Sequence, residues 1–189
     1  MILRLLSDHD RDAFVRAMRA SRSLHRPWTA PPATAEAFDA LLERARRESV
    51  AAMIACRRED GAIVGYFNLS QIIRGPLQSA FLAYSGVAAH SGKGYMTEGM
   101  QLVLRRAFVE LRLHRVEANI QPGNAASIAL ARRSGFVREG FSERYLKIAG
   151  RWRDHERWAI RAEQWRAQRG GATVSGTPGG TTRPRRTGG

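Results

Sequence analysis

The spacing of apolar residues changes period several times along the chain, and each change predicts an element. Ile2 to Leu6 is a short apolar run that reads as a strand, and Asp8 or Asp10 can cap a following helix to about Arg22 with Phe14, Ala17 and Met18 on one face. A proline-punctuated loop carrying His25-Arg26-Pro27-Trp28 and Pro31-Pro32 separates it from a second helix, which Thr34 caps. That helix runs through about Glu48 and is apolar at Phe38, Leu41, Leu42 and Ala45, the spacing of one helical face. Val50 to Arg57 and Ala62 to Ile73 read as strands joined by the hairpin signal Glu59-Asp60-Gly61. Ala80 to Val87 reads as a third strand after a turn at Gly75-Pro76.

At His90-Ser91-Gly92-Lys93-Gly94 the period switches to that of a helix reaching Leu111, with Met96, Met100, Val103, Leu104, Ala107, Phe108 and Leu111 on one stripe. Arg115 to Gln121 follows as a strand, Pro122-Gly123 as a turn, and Asn124 to Ser134 as a short helix ended by Gly135. Phe136 to Ile148 and Trp152 to Arg161 form a closing hairpin that turns at Ala149-Gly150. Four helices and about seven strands, three of them consecutive before the glycine loop, predict a mixed α/β sheet with one strand-loop-helix-strand crossover at its centre.

Composition narrows this to one compact domain. The chain has 189 residues, 43% of them hydrophobic and 25% charged, enough apolar surface for a single core. The boundaries expected are a domain over 1–165 and a disordered tail over 166–189, because the segment from Gly170 onward is Gly-, Thr- and Arg-rich with Val174 as its one large apolar side chain. The longest apolar run, Val50 to Cys56, is seven residues, far short of the roughly 20 a membrane span needs. Met1 opens directly into Ile2-Leu3-Arg4 with no secretory leader pattern, so the expected location is the cytoplasm. The single cysteine, Cys56, lies in that apolar run and reads as a buried, inert thiol.

The formal net charge is +14, and removing the three tail arginines Arg183, Arg185 and Arg186 leaves +11 on the body. Such an excess suits polyanionic partners. Yet only Lys93 and Lys147 are lysines, and the arginines are dispersed rather than gathered in one stripe, so a GC-rich coding bias explains the excess equally well.

The most informative stretch joins the strand Ala80 to Val87, the loop to Gly94 and the next helix. Two glycines spaced Gly-x-Gly at a strand-to-helix turn let backbone approach a ligand closely, and the free N–H groups of the next helical turn make an anion site. About thirty residues on comes Asn124-Ala125-Ala126-Ser127, leading to Gly135-Phe136. With these two elements the chain resembles the GNAT superfamily of acetyl-coenzyme A dependent N-acetyltransferases, over roughly Leu3 to Ile160. Asn68-Leu69-Ser70 with Arg74-Gly75, Gly92-Lys93-Gly94 with Glu98, and Gly140-Phe141 through Tyr145-Leu146 to Gly150-Arg151-Trp152-Arg153-Asp154-His155 resemble the RimJ group of ribosomal-protein-alanine N-acetyltransferases.

The resemblance implies a single GNAT-like domain in which the backbone from Val87 through Ala89, Gly92, Lys93, Gly94 and Tyr95 to Met96 cradles the pyrophosphate of acetyl-coenzyme A. Asn124 and Ser127 would then face the pantetheine and its sulfur. The family loop often has Gln or Arg three residues before the first glycine, where this chain has Ala89; His90 or Lys93 supplies that contact, or backbone groups suffice. Ser127, in the family position, is the expected donor to the leaving thiolate, with Tyr84 and Tyr145 as alternatives; its plainer role is completing the helix turn that Asn124 caps.

An α-amino group with a pKa near 7.7 to 8.0 is already about 10 to 20% neutral at pH 7, so it needs only a weak base, whereas a lysine side chain needs more. The chain offers no His/Asp pair at recognisable spacing, which suits an N-terminal amine. Glu117 is the candidate base, with Asn119 on the same strand face; its plainer role is an ion pair with Arg115 or Arg133. Trp28, Arg74 and Trp152 are expected to edge the acceptor cleft, with Asn119 and Tyr145 also against the acceptor. Backbone N–H groups near Gly86 to Ala88 are expected to meet the oxyanion. His9, His25, His114 and His155 show no metal-ligand spacing, so no metal is expected. The implied partner is a protein N-terminus, such as that of a ribosomal protein. No membrane partner or direct nucleic-acid contact is expected, and the protein is expected as a monomer or homodimer.

Overall fold

The computed structural model describes residues 1–170; the expected tail beyond them, residues 171–189, lies outside the described residues. Strands β1 (Ile2–Leu5), β2 (Ala51–Cys56), β3 (Ile63–Ile73), β4 (Ser79–Gly86), β5 (Arg115–Ile120), β6 (Val137–Ile148) and β7 (Arg151–Arg161) form one seven-stranded sheet in the order β1-β2-β3-β4-β5-β7-β6. All neighbours are antiparallel except β4 and β5, which run parallel because the crossover helix lies between them in sequence. The mixed sheet expected from the sequence is therefore present.

The helices are α1 (Arg11–Ala20), α2 (Arg22–His25), α3 (Ala35–Ala45), α4 (Tyr95–Arg105), α5 (Ala125–Arg133) and α6 (Ala162–Gly170), so there are six where four were expected. One difference arises at Ser21. Its side chain turns back to the Ala17 carbonyl (2.7 Å) and also accepts from the Ala88 N–H (2.9 Å), splitting the predicted first helix into α1 and α2. The other is α6, which crosses the expected boundary at 165. Its apolar signal is weak, Trp165 with two alanines, but Trp165 is buried against Phe108, with ring centroids 5.6 Å apart.

Strand β2 explains the longest apolar run, since every one of its residues is buried. Helices on both faces leave it no solvent side, which is why the run carries no polar alternation. On one face Phe14, Met18, Phe38 and Leu41 of α1 and α3 pack on Ala52, Ile54 and Tyr66, with Phe14 edge-on to Phe38 (5.3 Å) and to Tyr66 (5.2 Å). On the other, Met100, Val103, Leu104 and Phe108 pack on Met53, Phe67, Leu69 and Val116. The stripe continues through one π turn, Arg106–Glu110, that closes the crossover helix short of Leu111. Cys56 is buried in the first of these layers, where burial pushes its thiol pKa up. Among the described residues no helix is long and apolar enough to cross a membrane.

Helix α4 sits unusually close to the sheet. A Cβ at Gly99 would lie 2.8 Å from the ring of Phe67, itself fully buried, so only glycine allows this approach. Gly99→Val is expected to destabilise the fold by about 1 to 3 kcal/mol through overpacking, read as a lowered denaturation midpoint with an unchanged slope.

Candidate active site

Strands β4 and β5 pair at only three positions, Ser79 with Arg115, Ala80 with Val116 and Phe81 with Glu117. Beyond Phe81 they part. The Val87 N–H bonds back to the Val64 carbonyl of β3, so alternation along the strand turns the Tyr84 and Gly86 amides toward the gap, where β5 no longer meets them. The loop after α2 straps the gap. His25 Nε2 donates to the Gly86 carbonyl (2.8 Å) on the β4 side, and Gln121 Nε2 donates to the Trp28 carbonyl (2.8 Å) on the β5 side.

A cavity of about 320 Å³ opens beside the gap, between His25 and Trp28 on one side and Tyr84, Gly86, Gly92, Met96, Asn124, Ser127 and Arg133 on the other. Its floor at the glycine loop is built from backbone. Gly92 (φ +75°) and Gly94 (φ +79°) are both left-handed, and a Cβ at either would meet no atom within 4 Å. The space is open toward solvent, with Gly94 standing immediately before the first turn of α4. The N–H groups of Gly92, Lys93, Gly94, Tyr95 and Met96 have no hydrogen-bond partner among the described residues. Five convergent donors at a helix N-terminus fit a pyrophosphate, and Arg133, reaching the same place from the last turn of α5, adds a full positive charge.

The opposite wall carries the polar pair. Asn124 caps α5 by accepting the Ser127 N–H (3.1 Å), and this fixes the Ser127 hydroxyl 2.6 Å from the hydroxyl of Tyr84. Burial pushes the Tyr84 pKa up to about 12, so the phenol is neutral and can hold Ser127 from behind as a donor. Past this pair the cleft continues into a chamber of about 150 Å³, shared by Trp28, Thr29, Asn119, Gln121 and His155. The buried Asn119 Oδ1 has no hydrogen-bond partner among the described residues. His155 donates Nδ1–H to the Arg153 carbonyl (2.9 Å), which leaves Nε2 as the lone-pair nitrogen. Burial lowers its pKa, holding the ring neutral.

Residues 1–137 match the family model described as Acetyltransferase (GNAT) domain. The chain belongs to the GNAT acetyltransferases. It is 46% identical over 101 residues to a probable N-acetyltransferase of Bacillus subtilis, covering 53% of this chain and 56% of that one. It is 36% identical over 107 residues to the ribosomal protein uS5-alanine N-acetyltransferase of Escherichia coli, covering 57% and 55%. The chain thus spans about half the length of the curated relatives it matches. Among solved structures it is similar to Mycobacterium smegmatis RimJ in complex with CoA-disulfide, with a TM-score of 0.77 and 29% identity over 86% of this chain and 82% of that one. A Vibrio cholerae spermidine N-acetyltransferase shares the fold (TM-score 0.74) at 20% identity over 89% of this chain and 99% of that one.

In this GNAT chain the expected residues divide. Gly92, Gly94, Tyr95, Met96, Asn124, Ser127 and Tyr84 are brought together, and Trp28 and Asn119 line the acceptor side. The other expected residues lie elsewhere. Glu117 is on the last paired step of β5 and is held by Arg115 (2.9 Å), which in turn holds Glu139; it lines none of these cavities and makes the ion pair that is its plainer role. Arg74 donates to the Leu111 carbonyl at the end of the crossover helix, away from the cleft. Tyr145 packs edge-on against His155 (6.2 Å) without lining the chamber, and Trp152 is exposed on the hairpin. Val87 is buried in the α1–α3 layer with its N–H spent on β3. Lys93 is exposed, with Nζ on the Ala89 carbonyl (3.3 Å), so only the backbone of these two faces the loop.

The oxyanion expectation narrows for the same reason. The Val87 N–H serves β3 and the Ala88 N–H serves Ser21, so within Gly86 to Ala88 the Gly86 amide alone faces the gap. Sequence reasoning missed His25, Arg133 and His155. Arg133 was detectable, since Ala126, Leu130 and Arg133 repeat at helical spacing along one face of α5. Gly94→Val is expected to weaken coenzyme A binding at least tenfold by calorimetry while lowering stability by about 1 to 2 kcal/mol, the cost of a left-handed non-glycine residue. Unchanged affinity would remove the loop from the site.

Proposed function

We propose that the chain transfers acetyl from acetyl-coenzyme A to the α-amine of a protein N-terminus, with a ribosomal protein as the class of acceptor. The observation that carries this is one continuous cleft, running from the free amides of the glycine loop past Ser127 into a chamber with no Asp or Glu among its lining residues. A polyamine carries several positive charges, and a chamber without carboxylates has nothing to pair with them. The relatives named for uS5-alanine and RimJ activity support the same reading.

The chemistry follows from the groups present. Acetyl-coenzyme A supplies the activated carbonyl, and the loop amides and Arg133 fix its phosphates. The acceptor amine attacks that carbonyl, the new C–N bond forms and the C–S bond breaks. The Gly86 amide stands where oxygen becomes negative, and in a low-dielectric cleft one fixed donor of this kind is worth about 2.7 to 4 kcal/mol. The nitrogen loses a proton to His155 Nε2, directly or through water, and the departing thiolate is held by a hydrogen bond from the Ser127 hydroxyl, which Tyr84 supports as a donor, until a proton from solvent neutralises it. No residue of the cleft is acylated.

Release of coenzyme A with an Ala-initiated peptide tests this, and turnover with spermidine in place of the peptide would overturn it. Ser127→Ala is expected to lower kcat about 10- to 100-fold with coenzyme A affinity changed less than about threefold. A wild-type rate would leave Ser127 with its capping role only.

His155 works only when neutral, and burial keeps its pKa below the ordinary histidine value near 6.5. Below that lowered pKa both the amine and His155 must lose protons, so log(kcat/KM) should climb with slope two. Between it and the amine pKa the slope should be one. His155→Gln is expected to leave slope one throughout; an unchanged profile would exclude His155 as the base.

A further inference from the structure

A cavity of about 450 Å³ lies behind the acceptor chamber, between the end of α1, α2 and its loop on one side and the turn of the β6–β7 hairpin on the other. It shares Ile148 and Thr29 with the acceptor chamber, and Thr29 and His25 with the cofactor cavity. The two spaces are therefore next to one another, separated by no more than these shared side chains.

Three guanidinium groups line this space, Arg22, Arg26 and Arg153, and no Asp or Glu does. Several arginines elsewhere in the fold are held by carboxylates, as in Arg4 with Asp10, Arg57 with Asp60 and Arg138 with Glu156. These three make no salt bridge and no side-chain hydrogen bond among the described residues, and the Nε of Arg153 is buried with no acceptor at all. The neighbouring carboxylate of Asp154 is turned away, accepting the Arg144 N–H (2.8 Å). A buried guanidinium N–H without an acceptor is costly, and with the exposed Arg22 and Arg26 beside it the hollow is positive and favours an anion.

We propose that this cavity is a specificity subsite for a carboxylate of the acceptor, an Asp or Glu side chain within the first few residues after the acetylated amine. Guanidinium groups bind carboxylates through two parallel hydrogen bonds, and clustered arginines are a recurrent device for acidic peptide segments. Each step of extended chain advances about 3.3 to 3.6 Å, so the first few residues of a peptide reach from one chamber into the next. The inference rests on the acceptor being a peptide N-terminus. Its test reads binding separately from turnover.

Calorimetry with the coenzyme A-bound protein compares two Ala-initiated hexapeptides, one with Glu and the other with Gln at positions two to five. The acidic peptide is expected to bind at least tenfold tighter. The discrimination is expected to vanish in Arg22→Gln/Arg26→Gln/Arg153→Gln. Because loss of the half-buried Arg153 can disturb the hairpin, Arg26→Glu, at an exposed position, serves as a second variant; it is expected to reduce the ratio and to raise affinity for a peptide with Lys at those positions. Equal affinity of the wild type for the Glu and Gln peptides overturns the proposal, as does discrimination that survives in both variants. Equal peptide affinities together with salt-sensitive RNA binding lost in the triple variant would assign the cluster to RNA instead. Turnover of the Gln peptide, measured in parallel, decides the acetyl-transfer reading by itself.

Discussion

Three paired residues and then a parting is the constraint on which the rest of this molecule depends. Had β4 and β5 continued to pair beyond Phe81 and Glu117, every amide of β4 would be spent on a neighbour and no cleft would exist. Backbone donors without partners are expensive when buried, so the gap must either close or be lined by something that leaves them exposed to a ligand. The fold adopts the second solution. His25 and Gln121 brace the loop at Trp28 across the gap, each through one hydrogen bond of 2.8 Å, and the loop keeps the strands apart without occupying the space between them.

The same constraint links packing to chemistry. Gly99 lets α4 lie against Phe67, and the start of that helix is thereby set beside the open edge of β4, with Met96 close under Gly65 and Gly86. The free N–H groups of the helix start and those of the parted strand consequently face one cleft, although they come from different elements. Asn124 does the corresponding work on the other wall. By capping α5 it fixes the hydroxyl of Ser127 against Tyr84, and a local capping preference becomes the placement of a hydroxyl at the cleft wall.

Local devices were legible in the sequence and long-range ones were not. The left-handed glycines, the Thr34 and Asn124 caps and the stripe of α4 depend on neighbours within a few positions, and all are where the sequence predicts them. Glu117 could not be placed that way. Its alternation with Asn119 is correct, but the point at which β5 leaves β4 falls between them, and nothing in Val116-Glu117-Ala118-Asn119 marks that point. Arg74 and Tyr145 failed similarly, because the direction in which a strand end or hairpin twists is set by the partner strand. His25 and His155 show no metal-ligand spacing, and nothing beside them in the sequence marks either as a site residue. Their roles rest on carbonyls 61 and two residues away, and the first of those pairings has no sequence signal.

Charge needs the same distinction between totals and positions. The excess of +14 is dispersed along the chain, and some of its arginines are answered by nearby carboxylates, so the total by itself locates no anion site. What matters is where pairing fails. Arg133 stands without a carboxylate at the glycine loop, and Arg22, Arg26 and Arg153 stand so around the rear cavity, while the lining residues of the connecting chamber include no acid. A cleft positive at both ends and uncharged between them suits a substrate pair with anionic extremities and a neutral reacting amine at the centre. The low dielectric of the cleft penalises a protonated amine there, so burial itself favours the nucleophilic form.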